Sequence, residues 1–228
     1  MAAHDYEWIT FDCYGTLIDW DQGVSNAFEK VARASDLTFD RRYVLSLFRK
    51  YEASEEITYK RYRDVLSRVA RRACMELGYR IGEYNFIAES LPRWRPFPDT
   101  IPALQHLARN HKLGILSNVD NDLLAETLKY LPVPFDLIVT AENVSAYKPA
   151  HNHFQEARRK LGNARWIHVA QSYFHDITPC SRLGIDCAWI NRNKELSKDA
   201  KVTPFFNGPD LFAFVNWLEG AKDLSQSR

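Results

Sequence analysis

The chain of 228 residues suits one large domain, or one domain carrying a smaller insertion, and at that size it buries roughly 70% of its unfolded surface. Hydrophobic residues at 46% and charged residues at 26% exclude a disordered chain. Thirty basic against twenty-nine acidic residues leave a net charge of +1, which removes the electrostatic basis for a nucleic-acid or anionic-membrane partner.

The first strand signal is a short aromatic and β-branched run over residues 6–11, stopped by Asp12 and a turn glycine, Gly15. From Trp20 to about residue 91 the apolar residues recur at helical spacing: Ala27, Val31 and Ala34, then Val44, Leu45, Phe48 and Tyr51, then Val65, Leu66, Val69 and Ala73. Residues 92–98, with three prolines, read as a non-helical linker. Beyond it strands and helices alternate. The pattern predicts a helix over 99–110 capped by Asp99 or Thr100, a strand over 112–116, a helix over 121–130 and a strand over 135–139. A helix over 152–161, a strand over 166–170, a helix over 176–183, a strand over 186–190 and a closing helix over 209–218 follow. Such alternation predicts an α/β fold, a doubly wound parallel sheet built from residues 1–19 and 98–228, with residues 20–97 inserted as a helical cap. No apolar run approaches the roughly 18 residues of a membrane span, the N-terminal residues lack the pattern of a secretory signal, and the four cysteines are scattered. These features predict a cytoplasmic protein with reduced, buried thiols.

Ligands of open parallel sheets bind beyond the carboxyl ends of the strands, so reactive residues are sought there. Asp12 follows the first strand, Ser117 and Asn118 the second, Lys148 lies beyond the third and Asp176 beyond the fourth. Phe11-Asp12-Cys13-Tyr14-Gly15-Thr16-Leu17 resembles the first motif of the haloacid dehalogenase superfamily. Leu116-Ser117-Asn118 resembles its second, Tyr147-Lys148-Pro149 its third, and the segment from His168 to Asp176 a degraded fourth. The resemblance implies a Rossmann-like core in which Asp12 is a nucleophile that becomes a covalent ester, Thr16 orients it and Lys148 keeps it charged. Ser117 and Asn118 would donate to an anionic group of a small-molecule substrate.

Taken singly, each residue has a plainer reading. Asp12 could cap a turn, Lys148 could be solvated, Ser117-Asn118 could be a turn and Asp176 a helix N-cap. Their order along one chain favours the functional reading. Phosphatases of the superfamily carry a second aspartate two residues after the nucleophile, where this chain has Tyr14, and an acid opening the fourth motif, where it has Gln171. The Asp-x-Tyr-Gly-Thr-Leu form is that of the L-2-haloacid dehalogenases, which need no cofactor. There a second aspartate, aligned with Asp176, activates the water that hydrolyses the ester to a 2-hydroxy acid. An arginine from the cap stabilises the halide; Arg49 aligns best, with Arg61 and Arg63 as competitors. Tyr14, Trp20, Tyr173 and His175 could line the pocket. Gln171, Tyr173, Phe154 and His175 depart from that branch, and Cys13 should point into the core. The alternatives are a magnesium-dependent phosphatase of small phosphomonoesters and a non-catalytic protein binding a ligand in the same cleft. Cap-mediated homodimers occur among such proteins.

Overall fold

The computed structural model describes residues 5–197 and 199–226. Five strands follow the expected order: β1 (Trp8–Phe11), β2 (Lys112–Ser117), β3 (Leu137–Thr140), β4 (Trp166–Ala170) and β5 (Asp186–Ile190). A sixth, β6 (Phe206–Gly208), was not expected; three residues carry too little periodicity to read. All pair in parallel in the order β3-β2-β1-β4-β5-β6. β1 is therefore central, flanked by β2 and β4, and the winding reverses direction beside it. Its Ile9, Thr10 and Phe11 are wholly buried, as a parallel strand covered on both faces requires.

Four helices lie between β1 and the rest of the sheet: α1 (Trp20–Ala34), α2 (Arg41–Glu55), α3 (Tyr62–Leu77) and α4 (Phe86–Ser90). Asp19 caps α1 by accepting from Gln22 N, and Asp40 caps α2 by accepting from Arg42 N and Tyr43 N. α3 has no cap of its own. Its first amides, on Tyr62 and Arg63, donate to the buried carboxylate of Asp120 at 2.8 and 3.0 Å, so a residue beyond β2 completes a helix of the inserted block.

The two connections of this block run side by side: Asp19 N donates to Arg95 O at 2.9 Å and Phe97 N to Leu17 O at 3.0 Å. The expectation that residues 92–98 exclude helix fails at one edge. A 3-10 turn spans Leu91–Arg93, with Pro92 in its first turn, where no backbone donor is needed. Trp94 then lies against α1, and a Cβ on Gly23 would meet its ring at 2.3 Å. Gly23 is thus required by close approach, at the usual helical cost of about 1 kcal/mol.

The sheet is flanked by α5 (Thr100–Leu107), α6 (Asn121–Leu128), α7 (Ala141–Val144), α8 (Asn152–Leu161), α9 (Thr178–Arg182) and α10 (Leu211–Gln226). The helix expected to start at Asp176 begins differently. A π-helical turn, Tyr173–Ile177, precedes α9, and Ser172 caps it by accepting from His175 N. Asp176 is therefore not an N-cap; its own amide donates to Ser172 O. All four cysteines are unpaired and buried.

Candidate active site

The loop after β1 turns tightly: Leu17 N and Ile18 N both donate to Cys13 O, and Gly15 takes φ +94°, where other residues are strained. The turn brings Thr16 back over Asp12, and its hydroxyl donates to Asp12 Oδ2 at 2.7 Å. Lys148, 1% exposed, lies across the carboxyl ends of β1, β2 and β4. Its ammonium donates to Asp12 Oδ1 (2.9 Å), Asp176 Oδ1 (2.6 Å) and Leu116 O (2.8 Å), which uses all three of its hydrogens. Four side chains from three segments distant in sequence thus meet at one sheet edge.

Two buried carboxylates share one ammonium, and their proton affinities diverge. Burial pushes Asp12 up, Lys148 pulls it down, and the charge of Asp176 pushes it up again, leaving it above its ordinary value. Lys148 is the group that favours the ionised form of Asp12, against burial and the neighbouring acid. At Asp176 burial also acts upward, but Lys148 and then His168 overcome it and hold the group well below the carboxylate range. Lys148 resists the downward pull of burial because both acids favour its charge, and its affinity for the proton rises.

His168 was not singled out in the sequence. It sits in the middle of β4, wholly buried, with Nε2 at 3.0 Å from Asp176 Oδ1 and Nδ1 at 2.9 Å from Thr10 Oγ1. A histidine inside an otherwise apolar buried strand was the available signal, since a buried ring needs partners for its polar atoms. Phe154 packs edge-on against it at 5.4 Å, which accounts for an apolar residue at position 154.

Asp12, Lys148 and Asp176 floor a cleft of about 1070 Å³. Ser117 lines it with a buried hydroxyl that has no hydrogen-bond partner, a donor free for a ligand. Asn118 also lines the cleft: one hydrogen of its amide goes to Lys148 O (3.0 Å) and its carbonyl accepts from Lys148 N (2.7 Å), so it braces the lysine's backbone and keeps its second amide hydrogen for a ligand. Tyr14 lines the cleft with its ring, but its hydroxyl is bound to Thr127 Oγ1 at 2.8 Å. Tyr173 likewise spends its hydroxyl on Ser197 Oγ and Asp199 O. Gln171 gives its backbone amide to Thr16 Oγ1 (2.9 Å) and its side chain to Glu195 (3.2 Å). His175 faces the cleft beside Asp176, and burial lowers its proton affinity.

The opposite wall comes from the helical block. Arg49 lines it but is bound to Asp21 at 2.5 Å and lies over the Trp20 ring, so its charge is already half neutralised. Trp20 both lines the cleft and packs edge-on against Phe48. Arg61 and Arg63 do not line the cleft; they pair with Asp120, Asp122 and Glu142. Acids that line the cleft escaped the sequence reading, Glu52 and Glu56 among them. Glu52 and Glu56, one helical turn apart, both line the cleft, and Glu56 Oε2 approaches His175 Nε2 at 3.8 Å. Burial pushes Glu52 up to about 7 and Glu56 well above its ordinary value.

Comparison with known proteins agrees with this geometry. A model of haloacid dehalogenase-like hydrolases matches residues 6–170. An (S)-2-haloacid dehalogenase of Pseudomonas putida is 25% identical over 94% of this chain and 97% of its own. A glyceraldehyde 3-phosphate phosphatase of Methanothermobacter thermautotrophicus is 27% identical over 89% and 92%. Among solved structures, L-2-haloacid dehalogenase from Xanthobacter autotrophicus with chloropropionic acid covalently bound superposes with a TM-score of 0.81 at 20% identity, covering 94% of this chain and 99% of that one. This chain belongs to the haloacid dehalogenase-like hydrolases.

Proposed function

We propose that the chain is a 2-haloacid dehalogenase, acting on a small anionic substrate through an ester on Asp12. One carboxylate oxygen of Asp12 attacks C2 and the carbon–halogen bond breaks, releasing halide. A water then attacks the ester carbonyl carbon of Asp12 and gives a proton to Asp176. The C2–oxygen group leaves as alkoxide and takes that proton to become the 2-hydroxy acid. The second proton of the water leaves to solvent, and Asp12 returns as carboxylate.

The observation that carries this reading is the bridge of Lys148 between Asp12 and Asp176 with Thr16 on the other oxygen of Asp12. A nucleophile so held is aimed before substrate arrives, and its displaced charge is recovered by the lysine. Tyr14, its hydroxyl committed to Thr127, offers no acid to a leaving alkoxide, and a departing halide needs none. Ser117 is available to the substrate carboxylate.

A magnesium-dependent phosphatase is less well supported by the donor set. Asp12 and Asp176 are already paired with an ammonium, and Gln171 is turned to Glu195. Among the described residues no group of three histidine, cysteine or acidic side chains is arranged to hold a metal ion. These residues do not fit a hard dication's oxygen cage.

We read residues 20–97 as a cap that closes over the cleft to exclude water during the first step, its paired connections serving as the hinge. We place the protein in the cytoplasm; among the described residues no helix is long and apolar enough to cross a membrane. A homodimer through cap helices is a further expectation.

The test is halide release from L-2-chloropropionate and its bromo analogue in buffer containing EDTA, abolished by Asp12→Asn. No halide from these acids, together with magnesium-dependent release of phosphate from glyceraldehyde 3-phosphate, would replace this reading with the phosphatase.

A further inference from the structure

His168 does not line the cleft, yet it is bound to a residue that does. Asp176 receives two donors on the same oxygen, Lys148 Nζ at 2.6 Å and His168 Nε2 at 3.0 Å, both on Oδ1. Its other oxygen, Oδ2, is buried and has no hydrogen-bond partner. A buried carboxylate with one oxygen doubly bonded and the other bare is unusual, because an unpaired buried acceptor costs about 1–3 kcal/mol. The backbone gives the arrangement its geometry. β4 pairs with β1 so that His168 stands opposite Thr10, and the π-helical turn Tyr173–Ile177 carries Asp176 back over the strand end. Such turns recur at functional sites.

The hydrogen on the ring is fixed by its partner. Asp176 is ionised and can only accept, so Nε2 of His168 carries a hydrogen. In the neutral ring Nδ1 then accepts from the Thr10 hydroxyl at 2.9 Å.

We propose that His168 is a positioning residue for ester hydrolysis, holding Oδ1 of Asp176 so that Oδ2 is kept without a partner and accepts a proton from the attacking water. The proposal rests on the dehalogenase reading above. Its logic lies in what changes between the two steps. Before alkylation, Lys148 is shared by two carboxylates. Once Asp12 is an ester it carries no charge, and Asp176 becomes the full counter-charge of the lysine. A carboxylate beside one ammonium gains by turning both oxygens toward it, which would commit Oδ2 to the lysine. The bond from His168 to Oδ1 opposes that rotation in the state where it matters. The first step, which uses Asp12, Thr16 and Lys148, does not need it.

Rapid-quench measurement of halide, with intact mass of the protein, separates the two steps. L-2-chloropropionate is the probe, and the variants are His168→Leu and His168→Gln. Wild-type protein should release halide at a steady rate. His168→Leu should release one equivalent per chain at near wild-type speed and then slow by on the order of 10–100-fold, the range for outer partners that orient a reacting group. The mass of a 1-carboxyethyl ester should accumulate on Asp12. His168→Gln, whose amide nitrogen reaches the position of Nε2, should restore turnover. Should His168→Leu fail to fold, Thr10→Val removes the Nδ1 partner instead and should give a shallower form of the same burst. Equal slowing of both phases, or steady turnover at the wild-type rate, would overturn the proposal. Absence of halide from the wild-type protein would instead remove the dehalogenase reading, and this proposal with it.

Discussion

The two walls of the cleft are built to different standards. On the sheet side, Asp12, Thr16, Lys148 and His168 each have partners within 3.0 Å, and Asn118 braces the lysine's backbone. On the helical side, Arg49 is half exposed and pairs with Asp21 at 2.5 Å, Glu52 accepts from the Tyr62 hydroxyl at 2.6 Å, and Glu56 approaches His175 at 3.8 Å. The first wall is fixed before a ligand arrives, at the cost of burying three charges. The second is more exposed at Arg49 and carries buried acids facing a site that would receive an anion. On the proposed function, the groups that carry out the chemistry lie on the sheet side, and the helical block contributes the groups that would meet the rest of the substrate.

Breaking the rigid wall should have the largest effect. Lys148→Met leaves two buried carboxylates without a cation, so halide release should vanish and the folded state should lose about 3–5 kcal/mol in urea unfolding at neutral pH. Asp176 has a lowered folded-state affinity for protons, so its pairing stabilises the fold above its unfolded value of 3.8 and the benefit is lost as pH falls. The difference between wild type and variant should therefore shrink below that pH. Equal differences at pH 7 and pH 3 would contradict a charge-paired Asp176.

The seam between the walls comes next. Gly23→Ala drives a methyl group into the Trp94 ring and should cost about 1–3 kcal/mol, read as a lower urea midpoint with unchanged slope. A neutral effect would show that the linker is not pinned there.

The helical wall should give smaller, pH-dependent effects. Glu56 is neutral until pH rises past its elevated value, and then repels an anionic substrate. The wild-type KM for 2-chloropropionate should rise several-fold on the alkaline side, with kcat little changed, and Glu56→Gln should flatten that rise. Glu52, held near pH 7, binds its proton more tightly folded than unfolded. Its contribution is present below about 4.5 and lost as pH climbs through 7, so Glu52→Gln should gain Tm on wild type across that window and not below it.

Much of the rigid wall was legible in the sequence because it follows strands. Asp12, Ser117 and Asp176 sit where a parallel sheet presents its loops, and the motif order tied Lys148 to them. What escaped depends on partners that only folding supplies. His168 reads as an interior strand residue until β1 sets Thr10 beside it and the π-helical turn returns Asp176 over it. The bracing of the Lys148 backbone by Asn118 appears only once folding brings the two loops together. Glu52 and Glu56 read as the solvated face of α2, since nothing in their spacing tells which helix face meets a cleft from another part of the chain. Arg49 lines the cleft together with Arg41 of the same helix, and Asp21 reaches Arg49 from α1, a pairing that the spacing of the sequence does not show.

The central claim is that the carboxylate of Asp12 itself bonds to carbon. A single turnover of L-2-chloropropionate by excess protein in oxygen-18 water, followed by mass analysis of the peptide containing Asp12, tests it most directly. The account predicts heavy oxygen in Asp12 and ordinary oxygen in the first hydroxy acid formed. Heavy oxygen in that product, with Asp12 unlabelled, would mean that water attacks the substrate directly and would contradict it.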